Sequence, residues 1–397
     1  MQSLISVANA RALVLERATP LEPETVDLDD AAGRVLAEDA RAAVDLPPFP
    51  SSAMDGFAVR SADTPGRLRV VARAAAGRPA ARPLASGEAA GIATGAVVPE
   101  GADAVVPLEQ VSDGGDYVDV PAAAASGSHI RPRGGDARVG DTVLAAGSAL
   151  GSAQVAALAA SGIARAVCHR RPRVAVLTTG TELRTPGETL GPGEIYESNG
   201  RMLEVALRAA GAIVTRLAPV ADDEDAHRAS LEQALDADVT VTSGGVSVGP
   251  HDLVRRVGAT LGVEEVFWGV AMRPGKPLSF AVRGSTLVFG LPGNPVSALV
   301  AATLFTVPAL RALQGASSPG PEWQPGTLAM PAARSASRDD FLRARVSAEA
   351  SGAVLHPVFG QESHMIVRAA AADALVHVPA GEGEIAAGTA VLYTRLA

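Results

Sequence analysis

The chain has 397 residues and contains one lysine, Lys276, among its 34 lysine and arginine residues. This lysine follows Arg273 in the run RPGKP at residues 273–277. Lysine is a compact, strongly hydrated point charge, whereas the guanidinium of arginine is a broad planar group. A pocket for an oxyanion that has room only for a point charge would explain the retained lysine. We therefore predict that Lys276 and Arg273 bind an anion; the alternative is chance, since one lysine has to lie somewhere.

Three segments have the small and polar residues of ligand-binding loops, and each follows a predicted apolar strand. They are residues 178–183, 242–249 and 290–297. Ordinary turn chemistry explains any one of them, but ligands of parallel sheets bind beyond the carboxyl ends of the strands, where glycines let the backbone approach closely. The predicted anion-binding residues of these loops are Ser243, Gly244, Gly245, Ser247, Pro292, Gly293, Asn294 and Pro295.

In the third loop, we expect the Asn294 side chain to cap a helix that begins at Pro295. The N-terminus of that helix would then be available to an anion.

Carboxylates close to the same loops could hold a metal ion. Glu182 and Asp252 each follow a loop that should face the ligand. Mg²⁺ typically binds one or two carboxylates together with substrate phosphates. We therefore predict that Glu182 and Asp252 are Mg²⁺ ligands. Asp222 is a further candidate for the substrate site; the alternative is that residues 222–225 form a solvated, acidic helix start.

The hydrophobic pattern predicts the elements that must position these residues. Apolar strands alternate with helices from residue 173 to 312, which indicates a mostly parallel sheet covered on both faces, a multidomain α/β chain. Helical spacing predicts helices over residues 4–18, 29–36 and 152–168. Short strands with frequent turns predict a β-rich insertion before residue 147, and the short strands after the linker at 317–321 predict a small β-barrel. The predicted domains are 1–46 with 147–172 (helical and discontinuous), 47–146 (β-rich), 173–316 (α/β) and 322–397 (barrel).

Composition excludes several classes of protein. A net charge of −9 and a pI near 5.4 argue against nucleic-acid binding, which needs a basic face. Cys168 is the single cysteine, so no intramolecular disulfide forms and we expect a reducing compartment. The N-terminus lacks the pattern of a signal peptide, and no uninterrupted apolar stretch reaches the roughly 18 residues of a membrane span. We therefore expect a cytoplasmic protein without membrane contacts.

Several motifs resemble those of one family. Residues 243–249, 273–277 and 291–297 resemble the molybdenum-cofactor-synthesis domain that molybdopterin adenylyltransferases and molybdopterin molybdenumtransferases share. The N-terminal half resembles the MoeA-type molybdenumtransferases, bacterial relatives of the gephyrin E-domain. The motifs that carry this second resemblance are residues 51–60, 94–96, 99–106 and 134–136.

This resemblance implies a fold and a reaction. The implied fold has an elongated helical N-terminal domain, an inserted β-domain, a three-layer α/β domain and a C-terminal β-barrel. The implied enzyme is a homodimer that inserts molybdate into adenylylated molybdopterin, with Mg²⁺ and release of AMP. It would receive its substrate from a molybdopterin adenylyltransferase.

The resemblance also implies roles for single residues. Asp55 and Thr94 would reach across the dimer and act, with Glu182 and Asp252, as catalytic residues. Asp136 would contact the substrate, with a turn aspartate as the alternative. Pro50-Ser51 stands where the family often has Asp-Asn, and Gly135 where it often has Glu. A molybdopterin adenylyltransferase and a gephyrin-like scaffold without catalysis are the alternative functions.

Overall fold

The structure is a computed structural model that describes residues 4–221, 223–245, 253–350 and 352–396. Three predicted residues, Asp222, Ser247 and Asp252, lie outside these ranges. Within the described ranges the chain forms three six-stranded sheets and several two-stranded ones. The helices are Val7–Arg17, Ser152–Ala160, Asn199–Ala209, Glu224–Ala234, Leu253–Thr260, Pro295–Ala301, Val307–Leu313 and Ile366–Ala369.

The N-terminal residues pair with residues at the end of the predicted insertion and after it. Strand Pro23–Asp27 runs antiparallel to Arg165–His169, and Ala40–Arg41 runs antiparallel to Thr142–Leu144. The helix predicted over residues 29–36 is wrong: only the 3₁₀ turn Leu28–Asp30 forms, and Gly33 has a left-handed φ of 74°. The helix predicted over 152–168 ends at Ala160, because the chain turns and enters a strand. This region is therefore mixed helix and strand.

The inserted segment is a mixed sheet with an apolar cluster on each face. One cluster contains Phe57 and Val59, and the other contains Ala58 and Ile92, as expected where successive side chains of a strand alternate between faces. Strand Ser51–Ser52 pairs with Ile130–Arg131 beside this sheet. The strand order is Ala104–Pro107, Gly56–Val59, Glu88–Ile92, Gly66–Ala74, Tyr117–Val120, Ser112–Asp113.

Helices pack on both faces of the sheet in the α/β part. Its sheet has the order Ile213–Arg216, Arg173–Thr178, Val239–Ser243, Thr286–Leu291, Ser279–Arg283, Glu264–Trp268. The first four strands are parallel to one another. Ser279–Arg283 runs antiparallel to both of its neighbours, Thr286–Leu291 and Glu264–Trp268. Helices containing Leu203 and Val300 pack into the apolar core on one face, and helices containing Leu231 and Val257 pack on the other.

The helix predicted to begin at Pro295 forms and extends to Leu313, with a π-helical segment at Ala302–Thr306. Its length and mean hydropathy of 1.7 would allow it to cross a membrane, but 78% of its most apolar window is buried in the protein. This burial is typical of a core helix.

The C-terminal part is a closed five-stranded barrel. Strand Asp339–Glu349 pairs with both Gly352–Pro357 and Ala374–Val378, which closes the ring. The other two strands are Gln324–Leu328 and Ala390–Arg395. A short strand from the α/β part, Met272–Arg273, adds in parallel beside Asp339 and Asp340. This pairing joins the predicted anion loop to the barrel. Two minor pairs complete the strands, Leu183–Arg184 with Ile195–Tyr196 and Ala332–Ala333 with Glu384–Ile385.

Candidate functional site

The three predicted loops begin side by side. Thr178 lies opposite Ser243, and Ser243 lies opposite Leu291, in the parallel register of the sheet. All three strands therefore end at the same edge, and their loops line a cavity of about 780 Å³. We call it the loop cavity; its lining includes Thr179, Gly180, Glu182, Tyr196, Asn199, Ser243, Gly244, Gly245, Pro292, Gly293, Asn294, Pro295 and His364.

The glycine pair after the second strand is required by the close packing of the loops. Gly244 and Gly245 have φ angles of 97° and 65°, in the left-handed region that favours glycine. A Cβ atom on Gly244 would lie 2.6 Å from the carbonyl oxygen of Thr179. A Cβ atom on Gly293 would lie 3.7 Å from the Cα of Gly244. The backbone of all three loops is therefore held close together around the cavity.

Asn199, which the sequence analysis missed, ties two of the loops together. Its Nδ2 donates hydrogen bonds to Ser243 Oγ at 2.9 Å and to the Gly293 carbonyl at 2.7 Å. Ser243 Oγ in turn donates to the Pro292 carbonyl at 3.1 Å. The buried hydroxyl of Ser243 thus holds loop geometry as well as lining the cavity. Asn199 opens the helix Asn199–Ala209, and a polar residue at a predicted helix start was the available signal.

Thr179 supplies a polar atom without a partner. The residue is 7% exposed, and its Oγ1 forms no hydrogen bond with any described residue. Buried hydroxyls in proteins are almost always hydrogen-bonded. Because Thr179 lines the loop cavity, a polar ligand atom there would supply the partner.

Asn294 occupies the predicted helix N-cap position, but its side chain does not cap the helix. Asn294 Nδ2 donates to Ser363 Oγ at 2.9 Å, and the Ser363 carbonyl accepts the N–H of Val296 at 3.0 Å. A loop next to the barrel therefore binds one of the N–H groups at this helix N-terminus. The expectation that the Asn294 side chain caps the helix is wrong, and the N-terminus is less available to an anion than expected.

A second cavity of about 670 Å³ adjoins the first and contains the predicted cations. Pro277, Pro292, Asn294 and His364 line both cavities. Lys276 is exposed on the wall of this second cavity, which we call the cationic cavity, and forms no ion pair with any described residue.

Arg273 also lines the cationic cavity, but it is paired. Its Nε donates to Asp340 Oδ1 at 2.7 Å, and its Nη2 donates to the other carboxylate oxygen. The two predicted cations therefore differ, because only Lys276 presents an uncompensated charge.

Arg343 is a third cation of this cavity, and it is buried. The residue is 1% exposed, and its Nε and Nη2 have no partner among the described residues. Burial lowers the pKa of this guanidinium to about 10, so it stays charged at neutral pH. A buried, unpaired charge destabilises a protein strongly, and a bound anion would compensate it. One signal was present in the sequence, an arginine between the apolar residues Leu342 and Ala344 of the strand Asp339–Glu349.

Asp55 and Thr94, predicted as catalytic residues, contact each other. Asp55 Oδ1 accepts hydrogen bonds from Thr94 N at 2.6 Å and from Thr94 Oγ1 at 2.9 Å. These bonds stabilise the carboxylate and lower the pKa of Asp55. The next residue must be glycine, since a Cβ atom on Gly56 would lie 2.1 Å from the Val106 carbonyl oxygen. Asp55 and Thr94 are exposed, and neither lines the loop cavity or the cationic cavity.

We expect Thr94→Val to shift the pH dependence of the reaction. The variant loses the Oγ1 donor and keeps the backbone N–H, so the pKa of Asp55 should rise part of the way to its ordinary value. The acid-side fall in kcat should then move to higher pH, since Asp55 becomes protonated earlier. A pH profile of kcat checks this, with the alkaline limb as the internal control. An acid limb identical to that of the unaltered chain would contradict the role of the ionised carboxylate.

The remaining predicted residues have separate outcomes. Glu182 is exposed on the wall of the loop cavity. Asp136 is exposed and lines neither cavity, and the nearby turn is held by Asp45, which accepts hydrogen bonds from Arg133 and Val139. The described residues contain no cluster of three or more His, Cys, Asp or Glu side chains that could hold a metal ion.

Three family models match successive parts of the chain. The MoeA N-terminal region (domain I and II) matches residues 5–162, a probable molybdopterin binding domain matches 175–312, and the MoeA C-terminal region (domain IV) matches 325–396. In chain order, the three matched segments contain the inserted sheet, the α/β sheet and the C-terminal barrel.

Similar proteins extend along the whole chain. Molybdopterin molybdenumtransferase 2 of Mycobacterium tuberculosis is 39% identical over 399 residues, which covers 97% of this chain and 98% of that protein. Molybdopterin molybdenumtransferase of Haemophilus influenzae is 37% identical over 79% of this chain and 78% of that protein. A solved structure of the molybdopterin biosynthesis MoeA protein from Pyrococcus horikoshii has a TM-score of 0.81 and 32% identity, with 100% of both chains covered.

Proposed function

The chain belongs to the molybdopterin molybdenumtransferases, transferases of molybdenum cofactor biosynthesis, and on that premise we propose how it acts. The proposed reaction inserts molybdate into the dithiolene of adenylylated molybdopterin, with Mg²⁺-dependent release of AMP. The observation that carries the proposal is the pair of adjoining cavities. One is lined by the glycine loops, and the lining of the other contains more cations than carboxylates.

Molybdate, a tetrahedral dianion, fits the cationic cavity by charge. Lys276 and Arg343 form no ion pair with a described residue, although the charge of Glu362 acts on Arg343, and both line this cavity. Hydrogen bonds between charged donors and oxyanions are about twice as strong as neutral ones. The buried Ser297, at the same wall, could donate its hydroxyl. We propose that these groups, with Arg273, hold the four oxygens.

The adenylylated substrate fits the loop cavity. Its pyrophosphate requires several donors at close approach, which the glycine backbone and the unpartnered Thr179 hydroxyl could provide. The two cavities share the wall formed by Pro277, Pro292, Asn294 and His364. Reactants bound in both would therefore be neighbours, and holding reactants together removes a large part of the entropic barrier.

The Mg²⁺ ion required by the proposal fits this donor set. Glu182 offers hard carboxylate oxygens at the wall of the loop cavity. Mg²⁺ needs only one or two carboxylates when substrate phosphates complete its shell, so a larger acidic cluster is unnecessary. Asp252, outside the described residues, stays the second predicted ligand, and Asp222 and Ser247 stay predicted substrate contacts. When bound, the ion would neutralise charge on the departing AMP.

The position of Asp55 and Thr94 supports a homodimer. Neither residue lines the loop cavity or the cationic cavity of its own chain, whereas the family resemblance implies a catalytic role for both. We propose that a second subunit brings them to the cavity mouth, where they orient the pterin phosphate end or a nucleophile. We propose that Asp136 of the second subunit likewise contacts the substrate.

We further propose a cytoplasmic protein that receives adenylylated molybdopterin from a molybdopterin adenylyltransferase. The proposed domain boundaries are 1–46 with 147–172, 47–146, 173–316 and 322–397.

The proposal is tested by measuring the AMP released when the purified protein is mixed with adenylylated molybdopterin and molybdate. We expect AMP release only with molybdate and Mg²⁺ present. Glu182→Gln should raise the Mg²⁺ concentration that gives half-maximal rate, because it removes a charged ligand, and should leave the molybdate KM unchanged. Adenylylation of molybdopterin from ATP by the pure protein would contradict the proposal and indicate an adenylyltransferase. Binding of both reactants without AMP release would indicate a scaffold.

A further inference from the structure

We propose that Asp340 is a positioning residue for the reaction, which fixes the guanidinium of Arg273 and cancels its charge beside the cationic cavity. The inference rests on the proposed function, since it concerns how the cationic cavity selects and holds its oxyanion. It assigns different tasks to the two cations of the RPGKP run. Arg273 becomes an oriented, charge-compensated donor, and Lys276 remains a free positive charge.

Backbone pairing places Asp340 next to Arg273. The strand Met272–Arg273 runs parallel to the start of Asp339–Glu349, with Arg273 opposite Asp340. Asp340 is 0% exposed, so its carboxylate requires a charged partner. Arg273 provides that partner through Nε and Nη2, one to each carboxylate oxygen. The contact therefore spans the junction between the α/β part and the barrel.

The bidentate contact fixes which nitrogen remains available. Two parallel N–H···O bonds hold the planar guanidinium in one orientation. Nε and Nη2 are occupied, and Nη1 has no hydrogen-bond partner among the described residues. Arg273 still lines the cationic cavity, so Nη1 is the nitrogen that could donate to a ligand. A lysine at residue 273 could neither form the bidentate contact with Asp340 nor hold a second donor in a fixed orientation toward the cavity, because an ammonium is a point charge.

Charge compensation then matches the cavity to a dianion. Asp340 cancels the charge of Arg273. The other charged residues of the lining are Lys276, Arg338, Arg343 and Glu362, and the charge of Glu362 acts on Arg343. Three cations and one carboxylate leave a net of two positive charges. Two unit charges balance a tetrahedral dianion such as molybdate. Without Asp340, the guanidinium of Arg273 would be free to move, and its donor would no longer be held in one orientation.

A double-mutant cycle on the full-length protein tests this inference. Asp340→Asn, Arg273→Ala and the double variant are compared by molybdate KM and kcat in the AMP-release assay. Asp340→Asn should raise the molybdate KM about tenfold, within the coupling range of contacting residues. In the Arg273→Ala background, the same substitution should change the KM by less than about twofold, because Asp340 then has no guanidinium to position.

Arg273→Lys is a second variant that does not alter the buried carboxylate. We expect it to raise the molybdate KM about as much as Asp340→Asn, since lysine cannot form the bidentate contact. It reports on the inference even if Asp340→Asn fails to fold, which thermal unfolding would reveal.

Two outcomes would overturn the assignment. One is a rise in the molybdate KM on Asp340→Asn that is equally large in the Arg273→Ala background, which would show a purely structural role of Asp340. The other is a normal molybdate KM in Arg273→Lys. Failure of the proposed function is recognised separately, because the unaltered chain would then release no AMP with molybdate.

Discussion

Lys276→Ala is expected to lower molybdate-dependent AMP release by about 10²–10³-fold, the usual effect of removing one preorganised charge-stabilising donor. Lys276 is exposed on the wall of the cationic cavity and has no ion-pair partner among the described residues. Its charge is therefore available to the oxyanion. Because the exposed side chain forms no hydrogen bond or ion pair with a described residue, the variant should keep the thermal stability of the unaltered chain. Steady-state AMP release with varied molybdate is the measurement.

Lys276→Arg is the matched variant, because it keeps the charge and changes only the shape of the cation. Every other lysine or arginine position in the chain is an arginine, so general solubility cannot explain this lysine. We expect Lys276→Arg to lose most of the activity, since the broad guanidinium does not replace a point charge beside Arg273. Full activity of Lys276→Arg would mean that the lysine was retained by chance. Unchanged turnover of Lys276→Ala would remove Lys276 from the site.

Asp55→Ala is the second large expected effect, a fall in kcat of about 10²–10³-fold with substrate binding retained. Asp55 is exposed, and two hydrogen bonds from Thr94 lower its pKa, so it is ionised throughout the neutral range. Single-turnover AMP release and calorimetric binding of the substrate separate the two effects. A variant that unfolds, or that keeps its kcat, would identify Asp55 as a turn residue only.

Asp113→Ala is a suitable control for Asp55→Ala. Asp113 lies in the sheet that contains Gly56–Val59, the strand that begins directly after Asp55. It accepts a backbone hydrogen bond from Gly115 at 2.9 Å and also has a lowered pKa. It lines neither cavity, so we expect normal turnover after its replacement.

Mixed dimers test whether Asp55 acts across subunits. A dimer of one Asp55→Ala subunit and one Lys276→Ala subunit contains one intact site if each site uses both chains. Mixing the two inactive variants should then restore part of the AMP release. If no activity returns although mixed dimers form, the site lies within one chain.

The sequence predicted the α/β part and its three loops well, because apolar strand patterns and glycine-rich loops are local signals. The parallel register then brought Thr178, Ser243 and Leu291 to one edge. Local signals were weaker for the N-terminal region. Residues 29–36 have helical spacing, but Gly33 adopts a left-handed conformation and the helix does not form.

Contacts between distant parts of the chain could not be predicted. Asp340 and Arg343 lie in the barrel, and the added strand Met272–Arg273 brings them to the predicted cations. Ser363 likewise replaces the expected cap by Asn294 through a contact between separate regions. Pairing of this kind depends on tertiary structure, which neither periodicity nor spacing encodes.

The most direct test is a crystal structure of the protein with molybdate or tungstate and adenylylated molybdopterin, with the metal located by anomalous scattering. We predict the metal between Lys276 and Arg343, within reach of Arg273 Nη1 and next to the three glycine loops. A metal oxyanion bound away from both cavities would contradict the account.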